Sequence, residues 1–333
     1  MKAARLHEYG PPENLKIEDI PEPTLQTPTD VRVAVHAASI NPLDWKMRSG
    51  AQRGALRVSL PFTGGLDVSG EVLEVGPGVT RFSVGDLVYG CPDWRRDGSY
   101  AEQVVLDESL LAAKPASIRH LQAASLPLVG LTAWQCLLPK LTDTDNARVL
   151  IQAGSGGVGT FALQLAKHHG ATVITTCSPR NNELVRSLGA DEVIDYRTQN
   201  WWEEVSDIDL VLEAVGTEDR DRALTVVKKG GRVASINSGL PGNTAKYGPN
   251  CGVLATGLGL ANFWLKGKLN GVDASTVVKR TRADQLEAIA KLVEEGVIKP
   301  VVDRVFPLEQ IADAHVYGET GRIRGKVVIQ IRA

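Results

Sequence analysis

The sequence predicts an α/β protein of two domains, a doubly wound parallel sheet and a smaller β-rich unit of barrel or rolled-sheet type. Three observations carry that prediction. The apolar run Val149-Leu150-Ile151 meets the turn Gly154-Ser155-Gly156-Gly157-Val158-Gly159, which opens onto a helical pattern from Thr160 to His169. After Pro127, apolar runs alternate with helical patterns, as repeated βα units do. Before it, short strands are broken by frequent turns.

The glycine turn fits G-x-G-x-x-G in the context that gives the pattern meaning, strand before and helix after. Gly154 permits the tight turn, Gly156 lets backbone approach a pyrophosphate, and Gly159 lets helix and strand pack closely. Amides at the helix start then face the phosphates. Further strands are expected at Thr172 to Thr176, Val193-Ile194, Leu210 to Leu212 and Val233 to Ile236, with Ser275 to Val278 completing six. Helices are expected over Glu183 to Leu188 and Arg220 to Lys228, with Gly170, Gly189 and Gly230 as C-terminal stops. In the first third, Val31-Arg32-Val33-Ala34-Val35 alternates as a half-buried strand does, and Val68 to Val75 and Asp86 to Tyr89 add short strands. Helices near Gln285 to Glu295 and Leu308 to Tyr317 and a closing strand, Lys326 to Ile331, follow the six.

Length and composition narrow the function. The 333 residues suit two domains, and 43% hydrophobic residues suffice for ordinary cores. A net charge of -2 gives no electrostatic reason to expect nucleic acid or an anionic membrane. The N-terminus lacks the apolar core of a signal peptide, and the apolar stretch 252–265 is too short and glycine-rich to span a bilayer, so a cytosolic protein is expected. Cys91, Cys136, Cys177 and Cys251 lie far apart, without the clustering of a structural zinc site. The six histidines suggest neither a base nor a metal ligand, and Trp201-Trp202 and Asn262-Phe263-Trp264 read first as packing.

Several stretches resemble the medium-chain dehydrogenase/reductase superfamily, in its zinc-independent quinone oxidoreductase group. They include Ser39-Ile40-Asn41-Pro42-Leu43-Asp44, Asp67-Val68-Ser69-Gly70-Glu71-Val72, Gly98-Ser99-Tyr100-Ala101-Glu102, Gly130-Leu131-Thr132-Ala133, the glycine turn, Leu188 to Tyr196 and Arg324-Gly325-Lys326-Val327-Val328. Asn41 to Lys46 and Thr176 to Asn181 look nearest the oxoene and alkenal reductase branch. The resemblance implies a GroES-like barrel domain from 1–124 and 281–333. It also implies a Rossmann-type dinucleotide-binding domain from 125–280, an active site in the cleft between them, and a homodimer paired through an edge strand.

The metal-using branch has Cys where Asn41 or Pro42 stands and Gly-His-Glu where Gly65-Leu66-Asp67 stands, so no metal is expected. Without that Lewis acid, oxidation of a simple alcohol is difficult, and reduction of an activated acceptor needs none. NAD-preferring sites place Asp or Glu about twenty residues past the glycine turn, at the end of the second strand. Here that place reads Thr176-Cys177-Ser178-Pro179-Arg180-Asn181. Ser178 can donate to a phosphate and Arg180 can pair with it, while Tyr196 matches a family position near the same phosphate. Ser178 and Asn181 also read as helix caps and Arg180 as a solvated charge. NADPH is the expected cofactor.

Hydride transfer to an enone builds charge on the carbonyl oxygen, where a placed donor is worth about 3–4 kcal/mol. Asn41, with its amide, and Lys46, with its positive charge, are the candidate donors. Asp44 would orient Lys46, Arg48 or a water. Asn41 is equally a helix cap, with Pro42 at the first helical position and Asp44 facing the positive helix end. Thr132 resembles a position against the nicotinamide, and Val215, Asn237 and Ser238 follow strands at their carboxyl ends, where such sheets bind ligands. Tyr247 reads as a surface-loop residue, and the stretch 239–252 as a loop. The expectation is an NADPH-dependent reductase of quinones or of the double bond of α,β-unsaturated carbonyls. A cofactor-binding protein with little turnover is the rival, and an alcohol dehydrogenase stands further off.

Overall fold

A computed structural model describes residues 1–332. The chain opens with β1 (Lys2–Leu6), β2 (Leu15–Asp19), β3 (Asp30–Ile40) and α1 (Pro42–Arg48). Next come β4 (Phe62–Thr63), β5 (Val68–Val75), β6 (Leu87–Gly90), β7 (Gln103–Asp107), β8 (Leu111–Ala113) and α2 (His120–Ala123). The second stretch runs α3 (Pro127–Leu141), β9 (Arg148–Ile151), α4 (Gly157–His168), β10 (Thr172–Cys177), α5 (Asn182–Ser187), β11 (Glu192–Asp195) and α6 (Trp201–Glu204). It continues with β12 (Ile208–Glu213), α7 (Thr217–Val226), β13 (Val227–Ser235), α8 (Leu240–Tyr247), α9 (Pro249–Asn270) and β14 (Asp273–Thr276). The chain closes on α10 (Ala283–Glu294), β15 (Val302–Pro307), α11 (Ile311–Glu319) and β16 (Lys326–Gln330). It divides into two compact units, Met1–Leu131 with Arg280–Ala333, and Thr132–Lys279. The first division falls inside α3 rather than before it at 124/125.

The first unit is β-rich. Its main sheet follows the order β15-β16-β3-β5-β6-β8, and β7 also pairs β3; β2-β1-β4 form a second sheet. The long strand β3 holds the unit together, pairing β5, β7 and β16. Its register against β5 slips between Val35 and Ala37. Such an extra residue resets the alternation of faces. Val31, Val33 and Val35 therefore enter one apolar core with Val68, Val72 and Val88. Ala38 and Ile40 enter another with Val327, Ile329 and Ile311. That second core claims the chain's end for this unit, which no local sequence rule had assigned.

The second unit is a six-stranded parallel sheet ordered β11-β10-β9-β12-β13-β14. The order reverses between β9 and β12, and at such a switch point ligands bind beyond the strands' carboxyl ends. All six residues of β12 are buried, the burial expected of a parallel strand covered on both faces. Gly170 and Gly189 take positive φ just past α4 and α5, as expected of helix stops. Gly230 does not stop a helix: it lies inside β13, with α7 ended at Val226. The stretch 239–252 is not a loop either, being α8 and the start of α9, and Tyr247 is the last residue of α8. Glycine and proline disguised these helices. Pro249 sits in the first turn of α9, where its missing N–H costs nothing.

The stretch His120–Leu141 is long and apolar enough to cross a membrane by composition, yet 67% of its apolar window is buried in the protein, as in a core helix. Alongside it, His36 and His120 stack with ring centroids 4.3 Å apart. Burial, then the His36 and Lys114 charges, push His120 down to about 4, and burial and Arg332 lower His36, against Glu71, which raises it. Between about 4 and the ordinary 6.5 the unfolded chain binds more protons, so stability is present above 6.5 and lost as pH falls through that window. A His120→Gln variant should show a flatter decline of Tm over the same window; a slope equal to that of the parent protein would remove the pair from the acid response.

Candidate functional site

In the parallel-sheet unit, the chain leaves β9 through Ala153, a non-glycine residue at φ +52°. Such left-handed strain persists where surroundings enforce it. Here Thr176 does so: its Oγ1 accepts from Ala153 N at 3.1 Å and its carbonyl from Gly154 N at 3.1 Å. The three motif glycines then separate by role. A Cβ on Gly154 would stand 2.1 Å from Thr175 Oγ1, and one on Gly159 would stand 2.4 Å from Ala153 O and 2.6 Å from Gly154 Cα. Both are glycines because strand and helix press on them. A Cβ on Gly156 meets only Ala153 O, at 3.3 Å. The space above Gly156 is open, at the N-cap of the twelve-residue α4. That cradle fits a pyrophosphate, with Gly157 and Val158 on the first turn of α4.

The end of β10 reaches the same turn. Asn181 Nδ2 donates to Ser155 Oγ at 2.8 Å and to Ser178 Oγ at 3.3 Å, so these three residues form one cluster. Ser178 and Asn181 are nearly buried, Arg180 is exposed, and Tyr196, just past β11, is exposed. The structure adds a carboxylate that reading along β10 alone missed. Asp195 stands in register with Cys177, where its side chain accepts from Arg197 N at 3.1 Å and lies 3.7 Å from the Arg197 guanidinium. Thr132 is buried on α3.

A second missed residue organises the opposite strand ends. Glu213, fully buried at the end of β12, accepts from Val215 N and Gly216 N at 2.6 Å each and from Ser235 Oγ. Burial raises its pKa, and the Ser235 and backbone bonds oppose that. Asn237 Nδ2 then reaches Val215 O at 3.2 Å, tying the two loops together. Asn237 Oδ1 and Ser238 Oγ accept from Gly239 N and Leu240 N, so both also cap the start of α8. An acid closing the apolar run Leu210-Val211-Leu212 was the available signal.

In the β-rich unit, Asn41 is the N-cap of α1, with Pro42 in the first turn and Asp44 accepting from Asn41 N at 2.8 Å. Its side chain is spent elsewhere. Nδ2 donates to Asp67 Oδ2 at 2.8 Å, and Oδ1 accepts from the Lys326 ammonium. Asp67 and Asn41 have no exposed surface. Asp67 also accepts from Ser39 Oγ at 2.6 Å, Leu128 N at 2.7 Å and Lys326 Nζ at 3.1 Å. By the resemblance above, Asn41 or Pro42 stands where the metal-using branch has Cys, and Leu66-Asp67 where it has His-Glu. The donors here do not fit zinc: an amide and a carboxylate, both already engaged by a buried ammonium that would repel a second cation.

Asp44 and Lys46 leave α1 in different directions, as residues two apart on a helix must. Asp44 is buried and pushed up to about 7 by burial and by the Asp67 charge, against the Asn41 N–H and Lys326. It faces Arg48 and Tyr100 and makes no bond to Lys46 among the described residues. Lys46 is half-buried, its pKa lowered by desolvation, and no carboxylate pairs with it among the described residues.

With that geometry in place, the comparisons acquire chemical content. Residues 27–116 match the alcohol dehydrogenase GroES-like domain and residues 188–329 the zinc-binding dehydrogenase model. The mouse protein named mitochondrial NAD(P)H oxidoreductase RTN4IP1 is 37% identical over 99% of this chain and 89% of its own length. The Arabidopsis thaliana chloroplastic NADPH-dependent alkenal/one oxidoreductase is 34% identical over 99% of this chain and 79% of its own. A quinone oxidoreductase structure from Coxiella burnetii superposes with a TM-score of 0.88 at 33% identity, covering 100% of this chain and 99% of its own. The organelle names of these relatives overturn the cytosolic expectation, for a polar N-terminus speaks only against a secretory signal. Two units of these kinds, a glycine cradle open at Gly156 and relatives 37% and 34% identical over 99% of the chain place it in the medium-chain dehydrogenase/reductase superfamily, as a member of its zinc-independent quinone oxidoreductase group.

Proposed function

We propose that the protein is an NADPH-dependent reductase of quinones or of the double bond of α,β-unsaturated carbonyls. The observation that carries the reading is the donor set at the end of β10. Ser178, Arg180 and Asn181 stand beside the open glycine cradle, and no carboxylate lies on that strand. Gly156 and the first amides of α4 hold the pyrophosphate, Ser178 and Arg180 the 2′-phosphate with Tyr196 beside it. Val215, Asn237, Ser238 and Thr132 line the remainder of the cofactor's path. When bound, reduced nicotinamide supplies a hydride to the acceptor.

Lys46 is the chain's charge for the acceptor oxygen, where negative charge develops. Partial burial suits it: desolvation strengthens the attraction to an oxyanion. Asn41 and Asp44, both buried, are positioning residues that set α1 and therefore Lys46. One observation favours a second reading of the cofactor alone. Asp195, in register with Cys177, would serve NADH if its carboxylate took the ribose hydroxyls.

We also propose a homodimer. β14 is an open edge of the six-stranded sheet, and on the neighbouring α9 Leu254, Leu258, Leu265 and Leu269 are exposed. Light scattering should return twice the chain mass at micromolar protein, and a monomer would overturn this.

Turnover is tested with NADPH and NADH against a panel of enones and quinones. Arg180→Ala should raise KM for NADPH about tenfold to a hundredfold, the loss of one or two charge-assisted hydrogen bonds, and leave NADH unchanged. Lys46→Met should lower kcat with little change in cofactor binding. Faster turnover of the parent protein with NADH would transfer the assignment from Arg180 to Asp195.

A further inference from the structure

Beneath α1 lies a cavity of about 20 Å³ that none of the proposed roles uses. Its polar lining comes from Asp44, Arg48, Tyr100 and His315, and its apolar lining includes Leu6 and Phe62. The polar lining is deeply buried: Arg48 is 4% exposed and His315 1%. Arg48 Nη2 pairs with Glu319 Oε1 at 2.7 Å. Its Nε and Nη1, and both ring nitrogens of His315, find no partner in the protein. Four buried polar atoms without partners around one cavity are a large departure from the rule that such atoms are satisfied. Leaving such atoms unpaired in the interior is costly, so a polar partner is expected.

We infer that this cavity is a binding site for one tightly held water molecule, bridging Arg48, Asp44 and the His315 ring. Size selects the ligand: a water needs about 10–15 Å³ of such room, and an organic substrate far more. Donor balance selects it too. Arg48 only donates, the neutral His315 ring donates from one nitrogen and accepts at the other, and Asp44 accepts when ionised. Water can accept from the first and donate to the others. A halide fits the guanidinium, but that guanidinium is already paired with Glu319 and the cavity is also lined by Asp44, so charge argues against it. The water would join α1, through Asp44 and Arg48, to α11, through His315, next to the Arg48–Glu319 pair. Arg48 and His315 are then positioning residues for the helix that carries Lys46.

A high-resolution crystal structure of the whole protein, with a parallel bromide soak, decides the occupant. The expected result is one water-sized peak within hydrogen-bond distance of Arg48 and of Asp44 or His315, without anomalous bromide signal. Absence of density there, or a bromide peak in that position, would overturn the water. In solution, magnetic relaxation dispersion of water should count one fewer long-lived internal water in His315→Leu than in the parent protein. An equal count in the folded variant contradicts the proposal; if that variant does not fold, the crystal arm on the parent protein decides alone.

Discussion

The β-rich unit depends on one buried ion pair, Lys326 with Asp67. An ammonium has three protons, and here each finds an acceptor: Ile40 O at 2.9 Å, Asn41 Oδ1 and Asp67 Oδ2. The Asp67 carboxylate accepts four bonds, from Ser39, Asn41, Leu128 and Lys326. Burying two charges costs several kcal/mol apiece, and only such complete satisfaction offsets it. The set joins the end of β3, the cap of α1, the approach to β5, the start of α3 and the first residue of β16. It therefore closes the chain's last strand onto its first long one. It also engages Asn41 and Asp67 with a buried ammonium, which would repel a second cation at those side chains.

The nucleotide-binding unit is organised by contact rather than by charge. Gly154 and Gly159 are glycines because Thr175 and Ala153 leave no room for a Cβ, and that compression leaves Gly156 open at the start of α4. Around it, side chains at strand ends hold the loops in place. Thr176 fixes Ala153, Asn181 draws Ser155 and Ser178 together, and Glu213 binds the amides of Val215 and Gly216. These bonds tie the loops to the strand ends, and preorganisation of this kind lowers the entropy lost on binding.

Much of this was legible in the sequence, for physical reasons. The parallel sheet announced itself through apolar runs alternating with helical patterns, and the cap Asn41-Pro42 with Asp44 is where helix-start chemistry puts it. The rest depended on contacts distant in sequence. Nothing local in Asn41 says that Asp67 and Lys326 engage both ends of its buried amide. Nothing in the run ending at Cys177 says that Asp195 stands beside it in the next strand. The helices α8 and α9 were hidden because Gly239, Gly248 and Pro249 read as turn residues, although they sit at helix starts. The zinc-independent group could be read directly, since it is a matter of which side chains stand at Asn41-Pro42 and Leu66-Asp67.

The central claim is that the Lys326–Asp67 pair carries the β-rich unit, and a double-mutant cycle measured by urea unfolding tests it most directly. Lys326→Met alone should cost about 3–5 kcal/mol, because it strands a buried carboxylate. Lys326→Met combined with Asp67→Asn should recover a good part of that loss, giving a coupling of about 1–3 kcal/mol. A single-variant loss below about 1 kcal/mol, or additive effects in the pair, would mean that the ammonium and carboxylate stand close without supporting the fold.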